Sequence, residues 1–211
     1  MDDAIIIVSG LPRSGTSMIM QMLEAGGLPV VTDGLRRPDE DNPRGYYEME
    51  RVKNLKDDQG WLAECRGRAI KVVSPLLTDL PAGLRYRLIF VHRDLDEIEA
   101  SQRAMLERRG HSESDRDRRE MVALFGRHLD HIRRWLTGRP DIRVLEVTHR
   151  EVIDDPIAGA RLIGRFLGGS LDEREMARVV DTSLFRQRKD RPGAVSNDEG
   201  TSNAMDSGLK T

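Results

Sequence analysis

Aromatic residues and cysteine are both scarce in this chain. Only 4% of its 211 residues are aromatic, and Cys65 is the single cysteine. So few aromatic side chains argue against a stacking platform for single-stranded nucleic acid. One cysteine can form neither an intrachain disulfide nor a cysteine-based zinc site. We therefore expect a reducing, cytoplasmic compartment and no bound metal.

A strong charge imbalance and a long apolar run are also missing. The 34 basic and 36 acidic residues leave a formal net charge of −2. Binding to nucleic acid or to an anionic membrane through bulk charge is therefore not expected. The apolar run 5–8 is too short for a membrane span or for the core of a signal peptide. With 38% hydrophobic residues, the composition indicates a folded chain of about one domain.

Short apolar runs alternate with helix-like segments along the chain. The runs that favour strands are Ile5–Val8, Ala69–Val73, Arg87–Val91 and Ile142–Val147. The segments that favour helices are Ser14–Glu24, Asp94–Leu106, Ser114–Leu136 and Ala158–Leu167. This alternation predicts an α/β fold of three layers, α/β/α, around a central parallel sheet. Apolar residues become rare after about Asp190, so we expect one domain over 1–189 and a polar, flexible tail over 190–211.

The segment between the first strand and the first helix has the composition of an anion-binding loop. It reads Gly10-Leu11-Pro12-Arg13-Ser14-Gly15-Thr16-Ser17 and is called the glycine loop below. Its two glycines let the backbone bend around an anion, and the helix start directs N–H groups and its positive dipole end toward that anion. The glycines have the spacing of nucleotide triphosphatase P-loops, yet Thr16 stands where those loops carry lysine. The cation of this loop is instead Arg13.

The run 12–17 after a strand resembles the 5′-phosphosulfate loop of the sulfotransferases that use 3′-phosphoadenosine 5′-phosphosulfate (PAPS). A second motif of that family, an arginine at a strand end and a serine on the next helix, is matched by Arg93 and Ser101. The resemblance implies a P-loop-type fold. It also implies that Arg13 and residues 14–17 (Ser14, Gly15, Thr16 and Ser17) bind the 5′ end of the nucleotide, and that Arg93 and Ser101 bind its 3′-phosphate.

Three more segments carry the same resemblance, which is nearest to the bacterial and tyrosylprotein-type branches of the family. They are Asp-Asn-Pro-Arg-Gly-Tyr-Tyr-Glu at 41–48, Ile-Lys-Val-Val-Ser-Pro at 70–75, and Thr148–Pro156 with the helix that follows it. The basic segment Arg188–Gly193 is a degenerate match to the family segment that closes over the nucleotide. Arg191 is therefore a further candidate for nucleotide binding.

The reaction implied by the resemblance is in-line transfer of a sulfuryl group from PAPS to an acceptor hydroxyl or amine. By analogy with phosphoryl transfer, the protein has to position both substrates and neutralise charge on the reacting oxygens. Arg13 is the best candidate for that neutralising role. Lys71, at the end of a neighbouring strand, either faces the sulfuryl group or structures the pocket. No metal is required in this family.

The residue that removes the acceptor's proton is less clearly indicated. In the cytosolic branch a histidine follows the matched lysine by two positions, but that position is Val73 here. A carboxylate is the alternative. Glu48 is the first candidate, in a partly apolar wall with the adjacent tyrosines, although it can instead be an acid at the start of a helix over 49–57. Asp33 is the second candidate.

Two other functions stay open at this point. One is an atypical P-loop kinase or nucleotidase, although such an enzyme needs an acidic residue at a strand end to hold Mg²⁺, and this strand ends in His92 and Arg93. The other is a non-catalytic nucleotide-binding protein on the same fold. The acceptor of the favoured reaction is a small molecule, a carbohydrate or a peptide that the loops do not identify.

Overall fold

The computed structural model describes residues 3–40, 42, 44–108, 110 and 115–184. The strands are β1 (Ile5–Gly10), β2 (Ala69–Lys71), β3 (Tyr86–His92) and β4 (Ile142–Thr148). The helices are α1 (Thr16–Ala25), α2 (Leu95–Arg108), α3 (Asp115–Thr137), α4 (His149–Asp154), α5 (Pro156–Leu167) and α6 (Glu173–Arg178). Short 3₁₀ turns lie at Glu50–Asn54, Gly60–Cys65, Ser74–Asp79 and Thr182–Leu184.

The strands form one parallel sheet in the order β2-β1-β3-β4. Val8 of β1 is paired with Lys71 of β2 on one side and with Ile89 of β3 on the other. Because every strand is parallel, all four carboxyl ends meet at one edge of the sheet. The chain leaves β1 toward β2 and returns on the other side to β3, so a crevice opens beyond the end of β1, where ligands bind in open α/β sheets.

Alternation along β1 divides the core between the two faces of the sheet. Ile6 and Val8 pack with α1, α5 and α6 in one buried cluster. Ile5 and Ile7 pack in a second cluster that contains Trp61 and, from α3, Ile132. Helices or turns therefore cover both faces, and the predicted α/β fold with a central parallel sheet is confirmed.

The boundaries of the four predicted strands and the four predicted helices lie within two residues of those observed. β2 is shorter than its apolar run and ends at Lys71. The helix considered over 49–57 is a 3₁₀ turn, because the carbonyl of Asn54 accepts both the Asp57 and Asp58 amides and the chain turns away. Helices α4 and α6 were not predicted. None of the helices described in the structure is long and apolar enough to cross a membrane.

Candidate functional site

The glycine loop turns tightly between β1 and α1. A Cβ on Gly10 would lie 2.6 Å from the carbonyl oxygen of Val91, and a Cβ on Gly15 would lie 2.3 Å from Cδ2 of His149. Gly15 also has a φ of 102° and precedes the first residue of α1, whose N-terminus has no side-chain cap. The loop therefore needs glycine at both positions, and the N–H groups of the first turn of α1 have no side-chain acceptor.

The two sequence motifs meet at Arg13. Its Nε donates to Ser101 Oγ at 3.0 Å, and its backbone carbonyl accepts from Arg93 Nη1 at 3.0 Å. Arg13 has a φ of 72°, which is unusual for a residue other than glycine. Burial lowers the pKa of both guanidinium groups. Arg13 and Arg93, 80 positions apart in the sequence, are thus joined at the crevice, and a partly buried hydrogen bond holds the strained backbone of Arg13.

Arg93 is held from its other side by an acid of the next helix. Its Nε donates to Glu97 Oε2 at 3.0 Å, and the two side chains are 9% and 6% exposed. Arg150 approaches the second oxygen of Glu97 at 3.6 Å. A buried charge of this kind is stable only when it is paired. The pairing fixes the direction in which Arg93 faces the crevice.

Lys71 points from the end of β2 into the same crevice. Its side chain is 5% exposed, and its Nζ donates to the backbone carbonyl of Tyr46. The same nitrogen lies 3.4 Å from Ser17 Oγ and 3.4 Å from Glu48 Oε1. Burial lowers the pKa of the Lys71 ammonium, and the carboxylate of Glu48 partly offsets that effect.

Glu48 lies between two cations. Besides Lys71, it accepts from Arg36 Nη1 at 3.0 Å on one oxygen and 3.1 Å on the other. The Arg36 guanidinium also stacks on the ring of Tyr46, 3.3 Å from its centroid. The partly apolar wall expected around Glu48 is therefore wrong: the tyrosine is present, but its ring carries a cation that contacts the carboxylate.

Asp33 does not line the cavity. Its carboxylate accepts from the backbone amides of Glu50 at 2.5 Å and Leu35 at 3.0 Å. Both hydrogen bonds lower the pKa of the Asp33 carboxyl, and the one from Glu50 has the larger effect. The side chain orders its own loop instead of facing the glycine loop. Arg191 lies outside the described residues.

One cavity of about 340 Å³ collects the remaining candidates. It is lined by the glycine-loop residues Arg13, Gly15, Thr16 and Ser17 together with Glu48, Lys71, Arg93 and Ser101. Ser14 is fully buried behind this surface. A cavity of this size suits a small ligand, and its cations and helix-start amides suit a polyanion.

The cavity also contains residues that sequence reasoning missed. Asn42 donates to Ser17 Oγ at 3.0 Å, and Arg44 pairs with Asp181 at 2.9 Å. Asn42 and Arg44 lie in the segment 41–48 that carries part of the resemblance, but the sequence analysis gave them no role, and Asp181 belongs to no motif. His149 was detectable in principle, because it follows β4 directly and the carboxyl ends of parallel strands face the crevice.

His149 is a buried neutral base beside the glycine loop. It is 6% exposed and packs against Gly15. Desolvation, with the nearby positive charges of Arg93 and Arg150, lowers the pKa of His149 to about 3. The imidazole is therefore uncharged at neutral pH, and it adds no positive charge to a site already rich in cations.

Comparison with known proteins gives one family match. The family model described as Sulfotransferase domain matches residues 2–209. No curated protein matches the chain. One similar solved structure is the mouse sulfotransferase SULT7A1 complexed with PAP (3′-phosphoadenosine 5′-phosphate). Its TM-score is 0.50 and its sequence identity is 17%, over 88% of this chain and 64% of the mouse chain. A sulfotransferase from Alicyclobacillus acidocaldarius gives 0.49 and 16%, over 87% and 89% of the two chains. The chain thus spans about two thirds of the mouse protein, which shares its fold.

Proposed function

Because this chain belongs to the sulfotransferase domain family, we propose that it transfers a sulfuryl group from PAPS to an acceptor hydroxyl or amine. The observation that carries the proposal is the junction at Arg13, where the glycine loop meets both Arg93 and Ser101 in one cavity. That junction brings donors for a 5′-phosphosulfate and for a 3′-phosphate within reach of one nucleotide. ATP-dependent phosphoryl transfer has no comparable support, and neither does a non-catalytic nucleotide-binding role.

The donor set fits a nucleotide with two anionic ends. Residues 14–17 supply amide and hydroxyl groups at the start of α1 for the 5′-phosphate, as helix N-termini do for anions. Arg93 and Ser101 supply a cation and a hydroxyl for the 3′-phosphate. We also assign Arg191 to the nucleotide, on the resemblance alone. The proposal further takes 1–189 as one domain with 190–211 as its tail, and it includes a cytoplasmic location.

The residues around the reacting group have different proposed roles in the transfer step. Arg13 and Lys71 place positive charge where the oxygens of the transferred and leaving groups gain negative charge, which lowers the barrier. Glu48 takes the proton of the acceptor hydroxyl or amine as the new S–O or S–N bond forms. The S–O bond between the sulfuryl group and the 5′-phosphate of PAPS breaks in the same step, and 3′-phosphoadenosine 5′-phosphate leaves. Arg36 contacts both Glu48 oxygens and so fixes the position of this carboxylate in the wall of the cavity. Asp33 is not proposed as the base, because it does not line the cavity, whereas Glu48 does.

Calorimetric titration with 3′-phosphoadenosine 5′-phosphate (PAP) tests the proposal directly. We expect PAP to bind without Mg²⁺ and more tightly than ADP with it. Arg93→Ala should weaken PAP binding by about 1.5–3 kcal/mol, since a charge-assisted hydrogen bond is lost. Binding of Mg²⁺–ATP alone would contradict the proposal.

Radiolabelled PAPS with a panel of phenols, sugars and peptides then tests transfer. Arg13→Ala should remove transfer while PAP binding stays measurable, and Glu48→Gln should abolish transfer at unchanged PAP affinity. Full activity in Glu48→Gln would exclude Glu48 as the base.

A further inference from the structure

The Ser17 hydroxyl uses its full hydrogen-bonding capacity within the protein. It accepts from the Asn42 side-chain amide at 3.0 Å and lies 3.4 Å from the Lys71 ammonium nitrogen. It donates to the backbone carbonyl of Tyr46 at 3.3 Å. A serine hydroxyl has one proton to donate and two lone pairs that accept. The proton and both lone pairs are therefore directed at protein groups.

The direction of the Ser17 proton follows from the chemistry of these neighbours. The amide nitrogen of Asn42 and the ammonium of Lys71 can only donate, so the hydroxyl has to present a lone pair to each of them. Its proton is left with one direction, toward the Tyr46 carbonyl. A phosphate oxygen that accepts a hydrogen bond would need that same proton. The Ser17 hydroxyl can therefore donate to a bound phosphate only by giving up its contact with Tyr46.

The same hydroxyl is connected through its neighbours to the proposed base, Glu48. Tyr46 is buried and lies two positions before Glu48 in the chain. The ring of Tyr46 carries the Arg36 guanidinium, which contacts both Glu48 oxygens. The Lys71 ammonium near Ser17 also lies 3.4 Å from Glu48 Oε1. The hydroxyl thus ties the start of α1 to the wall of the cavity that carries Glu48.

We infer that the Ser17 hydroxyl positions Glu48 for the acceptor step and does not bind the nucleotide. This inference rests on the proposed function and narrows it, because Ser17 then offers the 5′-phosphate only its backbone amide. Thr16 lines the cavity, whereas Ser14 is fully buried behind it, so Thr16 supplies the hydroxyl for the phosphate. Two adjacent residues of the glycine loop thus serve different substrates: Thr16 serves the nucleotide, and Ser17 serves the acceptor through Glu48.

Alanine variants of these two neighbours test the inference. We would titrate PAP by calorimetry and measure kcat with radiolabelled PAPS, using water as the acceptor where no member of the panel above takes the label. Ser17→Ala should keep its PAP affinity within about twofold, because no hydrogen bond to phosphate is lost. Its kcat should fall about tenfold, because a displaced reacting group slows transfer. Thr16→Ala should instead weaken PAP binding about tenfold, because it loses a hydrogen bond to a charged group.

Hydrogen exchange measures the position of the Glu48 segment without any acceptor. The backbone amides of residues 44–50 should exchange faster in Ser17→Ala than in the unmodified protein, because Tyr46 loses one of its anchors. Asn42→Ala removes the same contact from the other side and should give the same two effects. Ser17→Ala/Asn42→Ala should be no worse than either single variant, since the two side chains share one contact. Ser17→Thr keeps the hydroxyl and should restore kcat.

A control variant separates this effect from the loss of any hydroxyl. Thr137→Ala removes an exposed hydroxyl that donates to the Arg134 carbonyl at the end of α3, outside the cavity. It should behave as the unmodified protein in all three measurements. Thermal unfolding checks that each variant is folded, and Asn42→Ala carries the test if Ser17→Ala is not.

The outcomes distinguish this inference from the proposed function. A lower kcat at retained PAP affinity in Ser17→Ala, with faster exchange around Glu48, supports the inference. A loss of PAP affinity as large as that of Thr16→Ala, or an unchanged kcat, overturns it while PAP binding by the unmodified protein still stands. If the unmodified protein does not bind PAP at all, the proposed function fails and this inference fails with it.

Discussion

Gly15 is the position where a single methyl group should do most damage to the site. Its φ of 102° disfavours any L side chain, and an added Cβ would collide with the imidazole of His149. We predict that Gly15→Ala loses more than about 2 kcal/mol of unfolding free energy, through backbone strain and collision together. PAP binding should fall below detection, because the start of α1 would be displaced. Urea denaturation and calorimetry measure the two effects.

Gly27 offers a control that separates the cost of backbone strain at Gly15 from the cost of the collision with His149. Gly27 has a φ of 89°, but a Cβ there would have no heavy atom within 4 Å. Gly27→Ala should therefore cost only the strain of the left-handed conformation, about 1–2 kcal/mol, and leave PAP binding intact. Adding His149→Ala to Gly15→Ala should restore part of the lost stability. Equal losses for the two glycine variants, with no effect of His149→Ala, would disprove the collision.

His149 should make folding stability depend on pH. Its pKa of about 3 in the folded protein is far below the ordinary value of 6.5. Between these pH values the unfolded chain binds the extra proton, so stability is full above about pH 6.5 and falls as the pH decreases. The expected slope approaches 1.4 kcal/mol per pH unit, or about 2 kcal/mol lost between pH 6.5 and 5.

Urea denaturation at pH 7.5, 6.5 and 5 checks this dependence, a range chosen above the main titration of carboxylates. His149→Gln keeps a polar side chain of similar size that cannot be protonated. It should flatten the pH dependence over that range. A variant that loses stability on acidification as steeply as the unmodified protein would show that another group is responsible.

At the scale of elements, α2 depends on the aspartate that precedes it. The Asp94 carboxylate accepts from the amides of Asp96 at 2.9 Å and Glu97 at 3.2 Å. Asp94→Ala should cost about 1 kcal/mol of stability, whereas Asp94→Asn should cost much less. PAP affinity should change little in either variant, because the Arg93–Glu97 pair still anchors the helix. A large loss of PAP affinity without a loss of folding stability would contradict the view that Asp94 only caps α2.

The elements that sequence reasoning predicted are those with strong local signals. The β-branched run at Ile5–Val8 and the glycines of the loop determine β1 and α1 almost by themselves. Helix α6 was missed because it has only six residues and a single buried side chain, Met176. A pattern so short cannot be distinguished from a loop without its tertiary partners.

The candidate site was predictable where its residues follow strands and unpredictable where they come from loops. Lys71 and Arg93 stand at or just after strand ends, so the parallel sheet brings them to one edge whatever the loops do. The environment of Glu48 depends on Arg36, which folds back from an aperiodic segment to contact it. Pairing between loop residues is a tertiary property, and no spacing in the sequence encodes it.

At the scale of the whole molecule, one ion pair connects two distant parts of the chain around the cavity. Arg44, in the loop after α1, pairs with Asp181 at 2.9 Å and also donates to the Val179 carbonyl beyond α6. All three residues line the cavity. The contact therefore joins the loop that carries Glu48 to the last part of the described chain at the wall of the cavity.

We predict that breaking this pair speeds nucleotide release more than it affects stability. The two side chains are 40% and 31% exposed, so Arg44→Ala or Asp181→Asn should cost less than about 1 kcal/mol of unfolding free energy. The dissociation rate of PAP, measured by stopped-flow displacement, should rise about threefold to tenfold, because interface changes act mainly on dissociation. Arg51→Ala is the matched control, since it breaks an exposed pair with Asp58 that lies outside the cavity. Equal dissociation rates in all four proteins would mean that the Arg44–Asp181 pair does not retain the nucleotide.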